Sequence, residues 1–189
     1  MTLYEDQERI LRDVTERFER LGLSYMLTGS MAMTKYAMMR MTRDIDIVLE
    51  IKCSDAQRII TAFEPDYYVP HSRVSSAITR KSMFNILHQR SLVKVDCVIR
   101  KDTEFQKFAF SNRRKIDFSG FDVWIISKED LILSKLNWAK DSRSEMQMRD
   151  VASIIRNGYD EEYVAMWAKK LDLNDILDDS IKLLDNYAE

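Results

Sequence analysis

Residues 23–51, LSYMLTGSMAMTKYAMMRMTRDIDIVLEI, decide the fold of this chain. The stretch opens with an apolar run at residues 23–27, which has the length of a short buried strand. Residues 28–30, Thr-Gly-Ser, break the run, and residues 31–39 predict a helix. After a short basic turn, residues 44–51 predict a second strand because they are rich in Ile and Val. The order is therefore strand, Gly-Ser turn, helix, strand.

Further elements are predicted on both sides of this stretch. Upstream, residues 3–21 place apolar side chains at helical spacing, and Gly22 ends that helix as a C-cap. Downstream, residues 55–63 predict another amphipathic helix. Residues 67–78 predict a strand edge or a loop, because Pro70 and its polar neighbours interrupt any longer pattern.

The remaining sequence predicts short strands and then helices. Paired strands are predicted at 83–87 and 92–99, a short helix or strand at 105–110, and a hairpin at 115–118 and 121–126. From Ser127 the pattern is helical to the end, and Ser127 with Asp130 is typical of a capping box. The fold class is α/β (α+β), with a mixed sheet flanked by helices and a helical C-terminal region. We expect two domains, residues 1–126 and the helical region at residues 127–189.

Composition excludes several classes of protein. The chain has 189 residues, 46% of them hydrophobic and 32% charged, and a net charge of −2, so it has no global electrostatic footprint for nucleic acid. Cys53 and Cys97 lie in or beside apolar runs and are predicted to be buried free thiols. His71 and His88 have no nearby Cys or His partner, which argues against a zinc site. No signal peptide or membrane span is predicted, and we expect a cytoplasmic protein.

The pair Gly29-Ser30 precedes a predicted helix. A glycine lets the backbone approach a ligand closely, and the N–H groups at a helix start carry a partial positive charge that suits a triphosphate. The same pair is also typical of an ordinary turn with an N-cap. Gly29-Ser30 alone does not decide between these interpretations.

Three aspartates lie in predicted strands. Asp44 and Asp46 are two residues apart, so both carboxylates point to the same face, where a divalent cation would relieve their repulsion. A solvated strand edge is the alternative. Asp96 interrupts an apolar run, which is costly unless the carboxylate is paired or metal-bound. Alternatively, Asp96 faces solvent together with Lys94. If the two strands are adjacent, the three carboxylates converge.

In their order, these features resemble the DNA polymerase β-like nucleotidyltransferase superfamily. Residues 40–46, RMTRDID, are more similar still to the abortive-infection (AbiEii-type) toxin nucleotidyltransferases and their uncharacterised relatives. Their motif has Arg, then Thr two residues later, then the Asp pair. The helix start at Ser127 and the downstream residues Lys135 and Arg143 also resemble this group, and the resemblance covers about residues 25–155.

The resemblance implies a role for each of these residues. The catalytic residues would be Asp44, Asp46 and Asp96, which would hold two Mg²⁺ ions, or Mn²⁺ in their place. The nucleotide contacts would be Gly29, Ser30, Arg40, Thr42, Lys135 and Arg143. By residue type alone, Lys135 and Arg143 would be interpreted as solvated charges on an amphipathic helix; the resemblance makes phosphate binding an equally good interpretation. Residues 1–126 would form the catalytic domain.

The implied activity is metal-dependent transfer of a nucleotidyl group from a nucleoside triphosphate to a hydroxyl acceptor. The acceptor would be RNA, protein or a small molecule: tRNA or protein if the enzyme is a toxin, which would then have an antitoxin partner. An antibiotic-modifying nucleotidyltransferase shares the same motifs. A non-catalytic module that binds nucleotide or a partner is a third hypothesis. No membrane partner is expected.

Overall fold

A computed structural model describes residues 3–37, 42 and 44–185. The helices are α1 (Leu3–Arg20), α2 (Gly29–Met33), α3 (Ala56–Phe63), α4 (His71–Arg80), α5 (Glu104–Ser111), α6 (Lys128–Ser142), α7 (Glu145–Ile155), α8 (Glu161–Leu171) and α9 (Asn174–Asp185), with a 3₁₀ turn at Cys53–Asp55. The strands are β1 (Ser24–Thr28), β2 (Asp44–Glu50), β3 (Tyr67–Tyr68), β4 (Met83–His88), β5 (Lys94–Ile99), β6 (Arg114–Asp117) and β7 (Asp122–Ile125).

The described strands form one sheet in the order β3-β4-β5-β2-β1-β7-β6. The pairs β2–β5 and β1–β7 are parallel, and the other pairs are antiparallel. The sheet is therefore mixed, as predicted. The helical C-terminal region is confirmed as well, because α6 to α9 follow the last strand.

The chain divides into two compact units. The first comprises Met1–Met31 and Met41–Ile125 and contains the sheet; the second comprises Ala32–Arg40 and Ile126–Glu189 and contains α6 to α9. In the part of the chain that the structure describes, no helix is long and apolar enough to cross a membrane. The division into a catalytic domain at 1–126 and a helical region at 127–189 stays a prediction.

One face of the sheet is closed by apolar side chains. Ile45 and Ile47 on β2 are fully buried, as are Val95 and Cys97 on β5. Aromatic rings from α1, α3, β1 and β3 extend this core, with neighbouring centroids 5.3–6.0 Å apart: Phe18, Tyr25, Phe63 and Tyr67. Since side chains alternate along a strand, the intervening aspartates point to the opposite face. The core thus orients the polar residues of β2 and β5.

The helix predicted at 31–39 is shorter in the structure. Helix α2 ends at Met33, and residues 34–36 form a turn. Within the second unit, the side chain of Asn157 donates a hydrogen bond to the carbonyl of Tyr36 at 3.0 Å, and the Tyr36 hydroxyl donates to the carbonyl of Ile126 at 2.6 Å. The Tyr36 carbonyl therefore bonds a side chain, and the Tyr36 side chain bonds the segment before α6. Residues 38 and 39 lie outside the described residues.

Helix α4 occupies a region that we predicted to be a strand edge or loop. The prediction is wrong for residues 71–80, although β3 is a short strand as expected. The buried residues Val74, Ala77 and Ile78 follow the i, i+3, i+4 spacing of a helix, and Pro70 precedes the first turn, where its missing N–H costs nothing. The signal was present, but the polar residues between these positions masked it.

The two cysteines differ in their environments, and both are free thiols. Cys97 is buried as predicted, and this burial raises the pKa of its thiol. The prediction for Cys53 is wrong, because the residue is exposed at the start of the 3₁₀ turn. Strand β2 ends at Glu50, so Cys53 does not belong to the buried strand.

The predicted N-cap of α6 is confirmed. The Ser127 Oγ accepts a hydrogen bond from the Asp130 backbone N–H at 3.1 Å and donates to the Asp130 carboxylate at 2.7 Å, and both residues are fully buried. We expect Ser127→Ala to lower the free energy of unfolding by about 1–2 kcal/mol, because it leaves a buried N–H and a buried carboxylate without this partner. Urea unfolding measures this loss.

Ser144, the N-cap residue of α7, provides the matched control. In the structure as described, its side chain makes no capping hydrogen bond. Ser144→Ala should therefore change the free energy of unfolding by less than about 0.5 kcal/mol. Equal losses for the two variants would contradict the capping role of Ser127.

Candidate functional site

A row of polar side chains crosses four neighbouring strands of the first unit. The strand register places Thr28 opposite Asp46, Asp46 opposite Asp96, and Asp96 opposite Asn85. Directly opposed residues on neighbouring strands project to the same face of a sheet. The predicted catalytic residues Asp46 and Asp96 therefore lie side by side on the polar face, between a hydroxyl and an amide.

A second row lies next to the first and contains Asp44, Lys94 and Leu87. The Lys94 Nζ lies 3.2 Å from Oδ2 of Asp44 and 3.1 Å from Oδ2 of Asp96, so one ammonium group bridges two of the three predicted carboxylates. Burial acts to lower the pKa of Lys94, but the hydrogen bonds to Asp96 and Asp44 outweigh it, and the pKa is raised. Lys94 therefore contributes a positive charge to this site.

Asp96 is the most enclosed of the three aspartates. The residue is 8% exposed, and its Oδ1 is buried without a hydrogen-bond partner among the described residues. A buried carboxylate oxygen without a partner is costly, and in native proteins such an atom calls for an explanation such as a bound ion or water. This oxygen is the strongest indication of a ligand on the polar face.

Gly29 packs against the side chain of Asp46. Its φ is +66°, a conformation that costs glycine little, and a Cβ at this position would lie 2.0 Å from the Asp46 Oδ2 and 2.6 Å from its Cγ. No side chain larger than hydrogen fits here without moving Asp46. The first predicted motif therefore contacts the second directly. Ser30 follows as the half-buried second residue of α2.

The segment before β2 is held by helix α1. The Thr42 hydroxyl donates to the carbonyl of Asp44 at 3.3 Å and accepts from its N–H at 3.4 Å, and the buried Gln7 donates to the carbonyl of Thr42 at 3.1 Å. These bonds define where β2 begins and thus where Asp44 lies. The nucleotide contact predicted for Thr42 stays a prediction. Arg40 lies outside the described residues.

Lys135 and Arg143 belong to the second unit. The Lys135 Nζ is buried and donates to the carboxylate of Asp150 at 2.7 Å and to the side-chain oxygen of Gln147 at 3.2 Å. Arg143 is exposed and pairs with Asp179 at 3.1 Å. The assumption that both residues lie on one helix is wrong, because α6 ends at Ser142 and Arg143 has a φ of +49°. Their predicted phosphate contacts stay predictions.

The carboxylates do not form a closed metal cage in this arrangement. Among residues 3–37, 42 and 44–185, no group of three or more His, Cys, Asp or Glu side chains is placed to hold a metal ion. The residues present nevertheless suit a hard divalent cation. Magnesium needs only one or two carboxylates when substrate phosphates and water complete its six ligands, and Asp96 offers an unpartnered oxygen.

The comparison with protein families agrees with this arrangement. A family described as nucleotidyltransferases of unknown function (DUF6036) matches residues 3–155, which include all three aspartates. The chain belongs to this family. It is therefore a nucleotidyltransferase and an enzyme, as the sequence resemblance implied. The closer resemblance to the AbiEii-type toxins is not confirmed. No curated protein matches this nucleotidyltransferase in sequence.

Solved structures of similar fold are also nucleotidyltransferases. The lincosamide antibiotic adenylyltransferase LnuA, solved with lincomycin, has a TM-score of 0.54 and 18% identity and covers 78% of this chain and 97% of its own. ANT(2″)-Ia with adenylyl-2″-tobramycin has a TM-score of 0.57 and 12% identity, with coverages of 88% and 97%. An antigenic nucleotidyltransferase-like protein from Paracoccidioides brasiliensis has a TM-score of 0.55 and 14% identity, with coverages of 94% and 93%. At these identities the likeness concerns the fold.

Sequence reasoning missed two residues of the polar face in this nucleotidyltransferase and one residue of α1. Lys94 was seen only as a neighbour of Asp96 along the strand, and Asn85 and Gln7 were not singled out. The alternation of β4 leaves Asn85 on the same side as Leu87, which was a usable signal. Nothing local in the sequence marks Gln7, because its role depends on the distant segment at Thr42.

Proposed function

We propose that this nucleotidyltransferase uses a divalent metal to transfer a nucleotidyl group from a nucleoside triphosphate to a hydroxyl group of an acceptor. The observation that supports the proposal best is the row formed by Asp46 and Asp96, in which Asp96 keeps a buried oxygen without a partner in the described structure. In the reaction, the acceptor oxygen forms a bond to the α-phosphorus, and the bond from that phosphorus to pyrophosphate breaks.

The three aspartates have two roles in this proposal, proton acceptance and metal binding. Asp96, the most enclosed aspartate of the row, accepts the proton of the acceptor hydroxyl as the new bond forms. Asp44 and Asp46 would hold the magnesium ions, together with Asp96. When bound, magnesium stabilises the charge that develops on the phosphate oxygens and on the leaving pyrophosphate. The proton and the pyrophosphate are the products besides the modified acceptor.

The triphosphate would lie at Gly29 and Ser30. Because Gly29 has no side chain, the Asp46 carboxylate lies directly against its backbone, so the backbone that would meet the phosphates and the proposed metal ligand stay close together. Further contacts are proposed for Arg40 and Thr42, which precede the aspartates in the chain. We retain Lys135 and Arg143 as proposed charge partners of the pyrophosphate, which requires each to leave its present partner.

Two acceptor classes have support. Small hydroxylated antibiotics are supported by the similar folds of LnuA and ANT(2″)-Ia, one solved with lincomycin and the other with adenylylated tobramycin. RNA or protein, with an antitoxin as partner, is supported by the resemblance of residues 40–46 to toxin nucleotidyltransferases. The two classes share the same phosphoryl chemistry, so acceptor screening separates them.

The test is transfer of label from nucleoside triphosphates that carry ³²P at the α-position. The four triphosphates are offered separately with total RNA, cell protein, lincomycin and tobramycin as acceptors. We expect label in one acceptor class with Mg²⁺ or Mn²⁺ present, and a loss of at least about a hundredfold after chelation with EDTA that added Mg²⁺ reverses. Undiminished transfer in EDTA would contradict the metal requirement.

Pyrophosphate release separates an enzyme that turns over from a module that only binds. A nucleotide that binds in calorimetry without any release of pyrophosphate, in the presence of every acceptor class, would favour the non-catalytic hypothesis. Release that rises with one acceptor identifies that acceptor. Toxicity on expression would in turn favour the toxin among the macromolecular acceptors.

A further inference from the structure

The ion pairs of Lys94 differ from the ion pair of Lys115 and Asp122 in the same sheet. That pair joins two exposed side chains at 2.9 Å, and these side chains are 46% and 61% exposed. Lys94 instead joins two carboxylates from different strands, and one of them, Asp96, has a side chain that is only 11% exposed. Its ammonium group therefore occupies the place on the polar face where positive charge is most needed.

Neighbouring strands place Lys94 there. Asp44 lies directly opposite Lys94 on β2, whereas Asp96 is two residues farther along β5 and so lies on the same face. The Lys94 Nζ lies about equally far from both carboxylates, at 3.2 and 3.1 Å. Without a cation, aspartates so close together repel one another. Lys94 relieves this repulsion from within the chain.

We propose that Lys94 is a resident counter-cation that keeps free divalent metal out of the Asp44–Asp96 pair until a nucleoside triphosphate arrives with its metal. The proposal rests on the proposed function, since it assumes that these carboxylates bind the metal. A free metal ion has to displace the ammonium group and receives only carboxylates and water in return. A metal–triphosphate complex brings phosphate ligands of its own, and its phosphate oxygens offer the displaced ammonium a new partner.

The consequence is an order of binding. The metal-free protein is stabilised because Lys94 partly neutralises its carboxylates, and the complete site assembles only around the nucleotide. The four-carbon stem of Lys94 allows this exchange without backbone movement, since its ammonium group has a wide range of reachable positions. Lys94 acts through Asp44 and Asp96 and is thus a positioning residue.

The test compares Mn²⁺ binding, followed by electron paramagnetic resonance, in the wild type, Lys94→Met, Lys94→Arg and Lys115→Met. Without nucleotide, we expect Lys94→Met to bind free Mn²⁺ about tenfold more tightly than the wild type, because the competing charge is gone. Lys94→Arg should resemble the wild type, since it keeps the charge. Lys115→Met removes a cation from a pair elsewhere in the sheet and should have no effect.

With a non-hydrolysable ATP analogue, the difference between wild type and Lys94→Met should shrink to less than about threefold, because the phosphates then hold the metal in both proteins. Thermal unfolding gives a second measurement. In EDTA, Lys94→Met should unfold at a lower temperature than the wild type, and added Mg²⁺ should raise its Tm more than that of the wild type.

The measurements distinguish a failure of the proposed role of Lys94 from a failure of the proposed metal site. If the wild type binds Mn²⁺ with the ATP analogue but Lys94→Met gains no affinity for free Mn²⁺, the role of Lys94 is wrong and the metal site stands. If neither the wild type nor any variant binds Mn²⁺ with or without the analogue, the proposed metal site is wrong, and the role of Lys94 with it.

Discussion

Replacing Asp46 with Asn is expected to lower the rate of nucleotidyl transfer by about a thousandfold while the protein stays folded. Asp46 lies in the middle of the polar row, with Thr28 on one side and Asp96 on the other. The amide of Asn has the same shape but only one oxygen and no negative charge, so it is a much weaker ligand for magnesium. The loss should therefore appear in the chemical step.

The stability of this variant is expected to change little. Removing one negative charge from a group of three carboxylates lowers their mutual repulsion, and the amide fills the same space as the carboxylate. Transfer of α-labelled nucleotide measures the rate, and urea unfolding measures the stability. Asp122→Asn is the matched control, because Asp122 is an exposed aspartate of β7 in the same sheet. Equal transfer rates for the two variants would disprove the role of Asp46.

The second large effect is expected for Gly29→Ala. The added Cβ would lie 2.0 Å from Oδ2 of Asp46 and 2.9 Å from its Cβ, distances at which either the carboxylate or the backbone has to move. We expect a loss of about 2–4 kcal/mol in the free energy of unfolding, since the left-handed backbone costs about 1–2 kcal/mol and overpacking about 1–3 kcal/mol. A displacement of Asp46 by about 1 Å should also lower transfer about a hundredfold.

Gly22 separates the backbone cost from the contact with Asp46. It has the same φ of +66°, but no atom of the described structure lies within 4 Å of a Cβ built on it. Gly22→Ala should therefore lose only the backbone part, about 1–2 kcal/mol, and keep wild-type transfer. If Gly29→Ala and Gly22→Ala have the same stability and the same transfer rate, the close approach of Gly29 to Asp46 has no functional importance.

Local patterns were sufficient to predict most of the elements. Strand β2 and helix α1 were predicted to within one residue at each end, because apolar spacing over seven or more residues is a strong signal. The cap at Ser127 was also predicted, because its hydrogen-bond partner Asp130 is only three residues away in the chain. Helix α4 was missed because its short apolar pattern is interrupted by polar residues.

The burial and the partners of each charged side chain were harder to predict from the sequence. Lys135 and Arg143 were both predicted to be phosphate contacts, yet Lys135 is buried against Asp150 whereas Arg143 is exposed. Asp150 is fifteen residues from Lys135, on another helix, so no spacing rule connects them. Burial and pairing of a charge depend on how helices pack, and the residue type does not contain that information.

The sequence by itself determined which residues are candidates for the chemistry: Gly29 from its place between a strand and a helix, Asp44 and Asp46 from their spacing, and Asp96 from its position in an apolar strand. Only the tertiary structure decided that β5 lies parallel to β2 in a register that sets Asp96 opposite Asp46 and brings the ammonium of Lys94 between two carboxylates. The physical reason is that alternation along a strand is a local property of the backbone. Pairing and register are instead set by the packing of residues about fifty positions apart.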